Sequence, residues 1–99
     1  MELNKYPAPH NQVATRIVDG SAVIVLADSG EVMVLNAVGT RIWQLTDGIR
    51  TVQEIIESIQ REYAVAPEQA HNDVAELLQK LMDSNALVLR EQPIPSPIK

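Results

Sequence analysis

Cysteine and phenylalanine are both missing from this 99-residue sequence, tryptophan occurs once and tyrosine twice. Without cysteine there is no disulfide, no thiolate metal site and no cysteine nucleophile. With aromatics at 3% of residues, a core has to be built from aliphatic side chains. Basic residues are scarce too: 8 Lys and Arg against 13 Asp and Glu give a net charge of −5. A nucleic-acid partner needs a basic footprint, so none is expected. Long apolar runs are also lacking. The longest, residues 22–27, is far short of the roughly 20 residues that cross a bilayer, so no membrane partner is expected. The start, MELNKYPAPHNQ, lacks the basic residues and apolar stretch of a signal peptide, and a cytoplasmic protein is the simplest expectation.

Candidates for catalysis are equally thin. His71 and Asp73 are two residues apart and point to different sides of a helix, with no third ligand in view. His10 lies in a proline-flanked segment without a nearby partner. Ser21, Ser29 and Ser84 sit where turns and helix ends favour serine, and no serine or threonine has the glycine frame of a nucleophile elbow. The expectation is no metal, no other cofactor and no enzyme.

What is present is 45% hydrophobic composition, enough for the modest core of one domain. Residues 1–11 read as an irregular arm, because Pro7 and Pro9 deny the backbone two donors. Residues 12–18 alternate, with Val13, Thr15 and Ile17 on one face, and predict a half-buried strand. Asp19-Gly20 suits a tight hairpin turn, with a three-residue loop that includes Ser21 equally open. Residues 22–27, AVIVLA, are apolar at every position, so neither face of this second strand is plainly meant for water. Asp28-Ser29-Gly30 turns the chain back into a third strand at 31–35. The product is an antiparallel meander with the second strand central and the other two at its edges.

Helical spacing takes over at Asn36, an N-cap candidate followed by Val38, Ile42 and Leu45 at i, i+4 and i+7. Gly48 is placed to stop that helix in a left-handed conformation. Trp43 falls off the stripe and reads as half-exposed, either a core-edge aromatic or a contact for another protein. Thr51 with Glu54 forms a capping box, opening a second helix along Val52, Ile55, Ile56, Ile59 and Tyr63. Pro67 fits the first position of a third helix that runs to about Ser84 on Ala70, Val74, Leu77, Leu78 and Leu81. Asn85 suits a left-handed helix end, and residues 87–89 suggest a short strand where a wing would sit. The tail EQPIPSPIK, with three alternate prolines, predicts an extended, mobile segment over 92–99. The fold class is therefore α+β: a three-stranded antiparallel meander followed by three helices, winged-helix-like, with the domain proper at 12–91.

The third strand is the conspicuous one. Edge strands are usually blunted by proline, lysine or a bulge, yet Val32, Met33, Val34 and Leu35 carry no charge and only Glu31 guards the entrance. Such an edge either waits for a peptide or is covered by the chain's own third helix or by a homodimer mate. The third helix is the natural second wall of a groove. One of its flanks offers Asp73, Lys80 and Ser84, the other His71, Ala75 and Met82, and the pattern does not choose between them.

The blocks LNAVGTRIWQLTDGIRTVQEI, a helix ending in REY, and PEQAHNDVAELLQKLMDSNAL closely resemble the PqqD-like family of RiPP recognition elements. The resemblance spans roughly residues 12–89. It implies a non-catalytic module that binds the leader of a ribosomally made precursor peptide and presents it to a leader protease or another modifying enzyme. The stand-alone proteins of pyrroloquinoline quinone synthesis typically carry a proline-containing acidic turn before the LN block, whereas this chain has DSGEVMV. It looks more like the discrete leader-binding subunits of lasso-peptide biosynthesis. A chaperone presenting a precursor to a radical enzyme is the alternative, and a winged-helix DNA-binding regulator a further one that the charge disfavours. The implied peptide site is Glu31, Val32, Met33, Val34 and Leu35 along the strand, with Asp73, Val74, Leu77, Lys80 and Leu81 on the helix.

Overall fold

A computed structural model describes residues 1–95. The element order is β1 (Tyr6–Pro9), β2 (Val13–Val18), β3 (Ser21–Leu26), β4 (Val32–Val34), α1 (Ala37–Leu45), α2 (Val52–Tyr63), α3 (Pro67–Asp83) and β5 (Leu87–Arg90). The meander is present in the order β2-β3-β4, antiparallel throughout, with β3 in the centre. One face of it, formed by Ala22, Ile24, Leu26 and Met33, is buried against the helices. The other carries Ala14, Arg16 and Val18 exposed, Val23 and Val25 half-buried, and Val32 and Val34 exposed. The continuous apolar run of β3 thus has one dry face and one partly wet one.

Local chemistry sets the helix boundaries. Asn36 caps α1, its side-chain oxygen accepting the Gly39 N–H at 2.8 Å. Thr51 and Glu54 complete both halves of the capping box on α2. Pro67 occupies the first turn of α3, and Asn85, with φ of 62°, takes the left-handed position beyond its end. Gly48 has φ of +77° but lies past the end of α1 at Leu45, in the turn between α1 and α2. The core is aliphatic, with Ile24, Ile42, Ile55, Ile59, Leu78 and Leu81 fully buried. Arg41 ties α1 to α2 by gripping Glu62 through two hydrogen bonds of 2.8 and 3.0 Å, which holds that carboxyl below its ordinary range.

Several expectations need correction. The strand over 12–18 is not half-buried: on its core-side face only Val13 is partly buried, while Thr15 and Ile17 are exposed, because β2 lies at the edge of the sheet largely beyond the cover of the helices. The first eleven residues are not an irregular arm: Tyr6–Pro9 forms β1, paired antiparallel with β5 as a second, two-stranded sheet. Proline is tolerated there because Pro7 and Pro9 are two apart, so their missing N–H groups fall on the side away from β5. On that side the Pro7 carbonyl accepts the Gly48 N–H at 2.9 Å. It follows that β5 joins β1 rather than extending the meander. Leu3 and Lys5 further use their carbonyls to accept the Gln53 and Val52 N–H groups, satisfying two orphan donors of α2. The tail is likewise engaged as far as Ile94, whose N–H bonds the Gly48 carbonyl at 2.8 Å, while 96–99 lie outside the described residues. Trp43 is only 6% exposed, and its indole N–H donates to Thr15 Oγ1 at 3.2 Å, because β2 reaches over that flank of α1.

Candidate functional site: a strand edge facing a helix

The β4 edge is built by its register on β3. Leu35 N–H bonds the Ala22 carbonyl and Leu26 N–H bonds the Glu31 carbonyl, both at 2.9 Å, with Ile24 and Met33 opposite each other between them. In an antiparallel ladder the residues that bond their neighbour alternate with those that face away. Val32 and Val34 therefore turn their N–H and C=O groups outward, to the side where no strand lies among the described residues. Their side chains are 56% and 68% exposed, whereas Met33 is 8% exposed and packs into the core. The strand is held by β3 and by Met33, and its free hydrogen-bonding groups are those of two exposed valines.

Beside this edge opens a cavity of about 360 Å³. Leu35 and Ile42 form its buried floor, and Val34, Val38 and Leu77 its half-buried or exposed walls. Asn36 and Gly39 contribute the corner where β4 becomes α1. Gly39 leaves little spare room, since a Cβ there would sit 3.2 Å from Asn36 Oδ1 and 3.3 Å from Leu35 Cβ. The far rim is α3, through Asp73, Glu76, Leu77 and Lys80. The flank of α3 that the sequence left undecided is thus the one bearing Asp73 and Lys80; Ser84 is not part of it.

Of the residues expected at the site, Val34, Leu35, Asp73, Leu77 and Lys80 line the cavity together. Glu31 and Val32 lie along the edge outside it. Val74 and Leu81 are corrected: both are fully buried on the core stripe of α3 and offer no surface to a ligand. Met33 contributes through the position it gives β4, not through its side chain. Asn36, Val38, Gly39, Ile42 and Glu76 were missed. In the sequence Asn36 marks only a cap, and Val38 and Ile42 only a core stripe. Glu76, three residues from Asp73 and four from Lys80, was recoverable from helical spacing alone once that flank was known.

A meander whose β4 edge is unpaired among the described residues, held beside a helix across a cleft of mixed apolar and charged lining, defines a small domain suited to receiving an extended chain. The sequence matches the family described as Coenzyme PQQ synthesis protein D (PqqD) over residues 21–87, and the chain belongs to that family. Among curated proteins none matches it. Two solved structures share the fold. One, TbiB1 in complex with the TbiA(beta) leader peptide, has a TM-score of 0.75 and 28% identity, covering 81% of this chain and 93% of that one. The other, a lasso peptide synthetase B1 complexed with the leader peptide, has a TM-score of 0.75 and 24% identity, covering 84% and 98%.

Proposed function

We propose that this chain is a non-catalytic module that captures the leader of a ribosomally synthesised precursor by strand addition to β4, against α3. The observation that carries this reading is the pair of outward-facing backbones at Val32 and Val34 beside a cleft with an aliphatic floor and a partly charged rim. The PqqD membership and the leader-peptide complexes formed by proteins of the same fold support it. The lasso-peptide setting is favoured over pyrroloquinoline quinone synthesis because DSGEVMV stands before the LN block, without the proline-containing acidic turn typical of the stand-alone proteins of that synthesis. Bound in this way, the leader holds the core peptide near a leader protease or other modifying enzyme, and the gain is one of effective concentration. Within the described residues no helix is long and apolar enough to cross a membrane, and we place the module in the cytoplasm.

The test is an N-methyl scan of a fluorescently labelled leader peptide that the full chain binds. Alternate amides of an added strand face β4, so affinity should fall at every second residue across the contact. Uniform tolerance of N-methylation along the whole leader would sink strand addition.

A further inference from the structure

On the wall that α3 gives to the groove, an acid, an aliphatic residue and a base follow one another: Asp73, Leu77 and Lys80, with Glu76 alongside. Asp73, Leu77 and Lys80 recur at i, i+4 and i+7 and so form one stripe. At 1.5 Å per residue its ends lie roughly 10 Å apart along the helix axis. Among the described residues these charges form no ion pair. Ion pairs among the described residues join Lys5 to Glu2 and Glu91, Arg41 to Glu62, and Arg50 to Asp47. Lys80 stands four residues after Glu76 and three before Asp83, spacings that permit an ion pair, yet it forms neither. Asp83 instead accepts from Gln79 at 2.9 Å, and Asp73 accepts from Gln69 at 2.8 Å through Oδ1 alone, leaving Oδ2 for a ligand. The opposite wall, at Val34, is apolar. Backbone hydrogen bonding at β4 is blind to sequence, so α3 is the side of the groove able to discriminate.

An extended peptide advances about 3.3 Å per residue, which sets side chains on one face about 6.6 Å apart. Three such side chains, at i, i+2 and i+4, match the stripe, and long charged stems take up the remaining difference. We propose that the groove selects its peptide by charge order: Lys or Arg toward Asp73 and Glu76, an apolar residue on Leu77, and Asp or Glu toward Lys80. This rests on the strand-addition reading and adds the chemistry of the ligand to it. Two exposed ion pairs support about a two- to thirtyfold preference at low salt, shrinking as salt rises.

The experiment pans a displayed library of random 12-residue peptides on the immobilised full chain, then measures enriched peptides by fluorescence anisotropy at low and high salt. The same is done with the double variant Asp73→Lys, Lys80→Glu, whose melting curve is recorded first. Expected is enrichment of cation-x-apolar-x-anion segments in one chain direction by the parent, and of the opposite charge order by the variant. Enriched peptides that bind and are lost on Val34→Asp, but show no charge order or do not invert, overturn the charge selection and leave strand addition standing. Absence of any enriched peptide that Val34→Asp abolishes overturns both.

Discussion

Met33 and Val34 are neighbours on one strand, and aspartate at the two positions should have opposite consequences. Met33 is 8% exposed and packs in the core with Ile24. Met33→Asp forfeits about 2–5 kcal/mol of buried side chain. A carboxylate among aliphatic neighbours adds a further desolvation cost of several kcal/mol unless it is protonated. Against a total stability of roughly 5–15 kcal/mol for a domain this size, that variant should be largely unfolded. Val34, by contrast, is 68% exposed. Val34→Asp should change stability by about 0.5 kcal/mol from exposure, and by no more than roughly 1 kcal/mol when strand propensity is included. Its effect falls on binding. Val32 and Val34 each offer an N–H and a C=O, so an added strand gains about four hydrogen bonds at roughly 0.5–1.5 kcal/mol each. Ordering the peptide takes back about 2–5 kcal/mol, so these bonds alone give almost no net affinity. Micromolar binding, about −8 kcal/mol, therefore needs some three apolar anchors, each contributing roughly 1.5–3 kcal/mol in the cleft that Val34 walls. Placing a carboxylate there, facing Asp73 and Glu76 across the groove, should weaken a labelled leader at least about tenfold, the equivalent of about 1.4 kcal/mol. Val34→Thr, which keeps the shape, should bind much more nearly like the parent. Anisotropy titrations and thermal melts on all three variants decide the matter. A Val34→Asp protein that melts and binds as the parent does would refute this account of the edge.

Leu78, fully buried on α3, should cost about 2–5 kcal/mol when cut to alanine, visible as a large fall in melting temperature; a parent-like melt would mean that the helix phase is misassigned. Deleting residues 92–99 should lower stability by about 1 kcal/mol through loss of the Ile94–Gly48 hydrogen bond, with leader affinity unchanged. Gly48→Ala should cost about 1–2 kcal/mol for its positive φ alone, and more in the full chain, where the new Cβ meets Ile94 Cδ1. A double-mutant cycle between the two changes reads that difference, and strict additivity would show that Ile94 does not rest on Gly48.

The order of meander and helices was legible because each boundary is marked by a residue with a local physical reason: Asn36, Thr51 with Glu54, Pro67 and Asn85. What escaped depends on partners remote in sequence. Pro7 and Pro9 look hostile to a strand until β5 is seen to lie on the side where they need no N–H. Trp43 looks stranded off its stripe until Thr15, 28 residues away, comes to meet its indole N–H. The groove was legible only in part for the same reason. Charge and exposure along 31–35 flagged the edge, but which flank of α3 faces it is a matter of helix rotation, which stripe width does not fix.

The two halves of the site are joined through one buried hydroxyl. Thr40 Oγ1 accepts the Ala22 N–H at 2.8 Å and donates to the Leu35 carbonyl at 3.3 Å, while the Leu35 N–H donates to the Ala22 carbonyl. These three bonds clamp the first residues of β3, the end of β4 and the first turn of α1 into a single joint. Asn36 closes the same joint from outside by capping Gly39. The joint fixes where β4 ends and therefore which of its residues turn their backbones outward. It also sets the angle at which Val38 and Ile42 meet the cleft, and α1 in turn packs on α3, which carries Asp73, Leu77 and Lys80. The strand that would pair with a peptide backbone and the helix that would read its side chains are thus spaced by the core, with no loop intervening. A cleft set by buried hydrogen bonds and close packing is pre-organised, so little of the binding energy goes into shaping the receptor. The ordering cost would then fall mainly on the peptide, which is what the proposed strand addition requires of a three-residue edge with so few backbone hydrogen bonds.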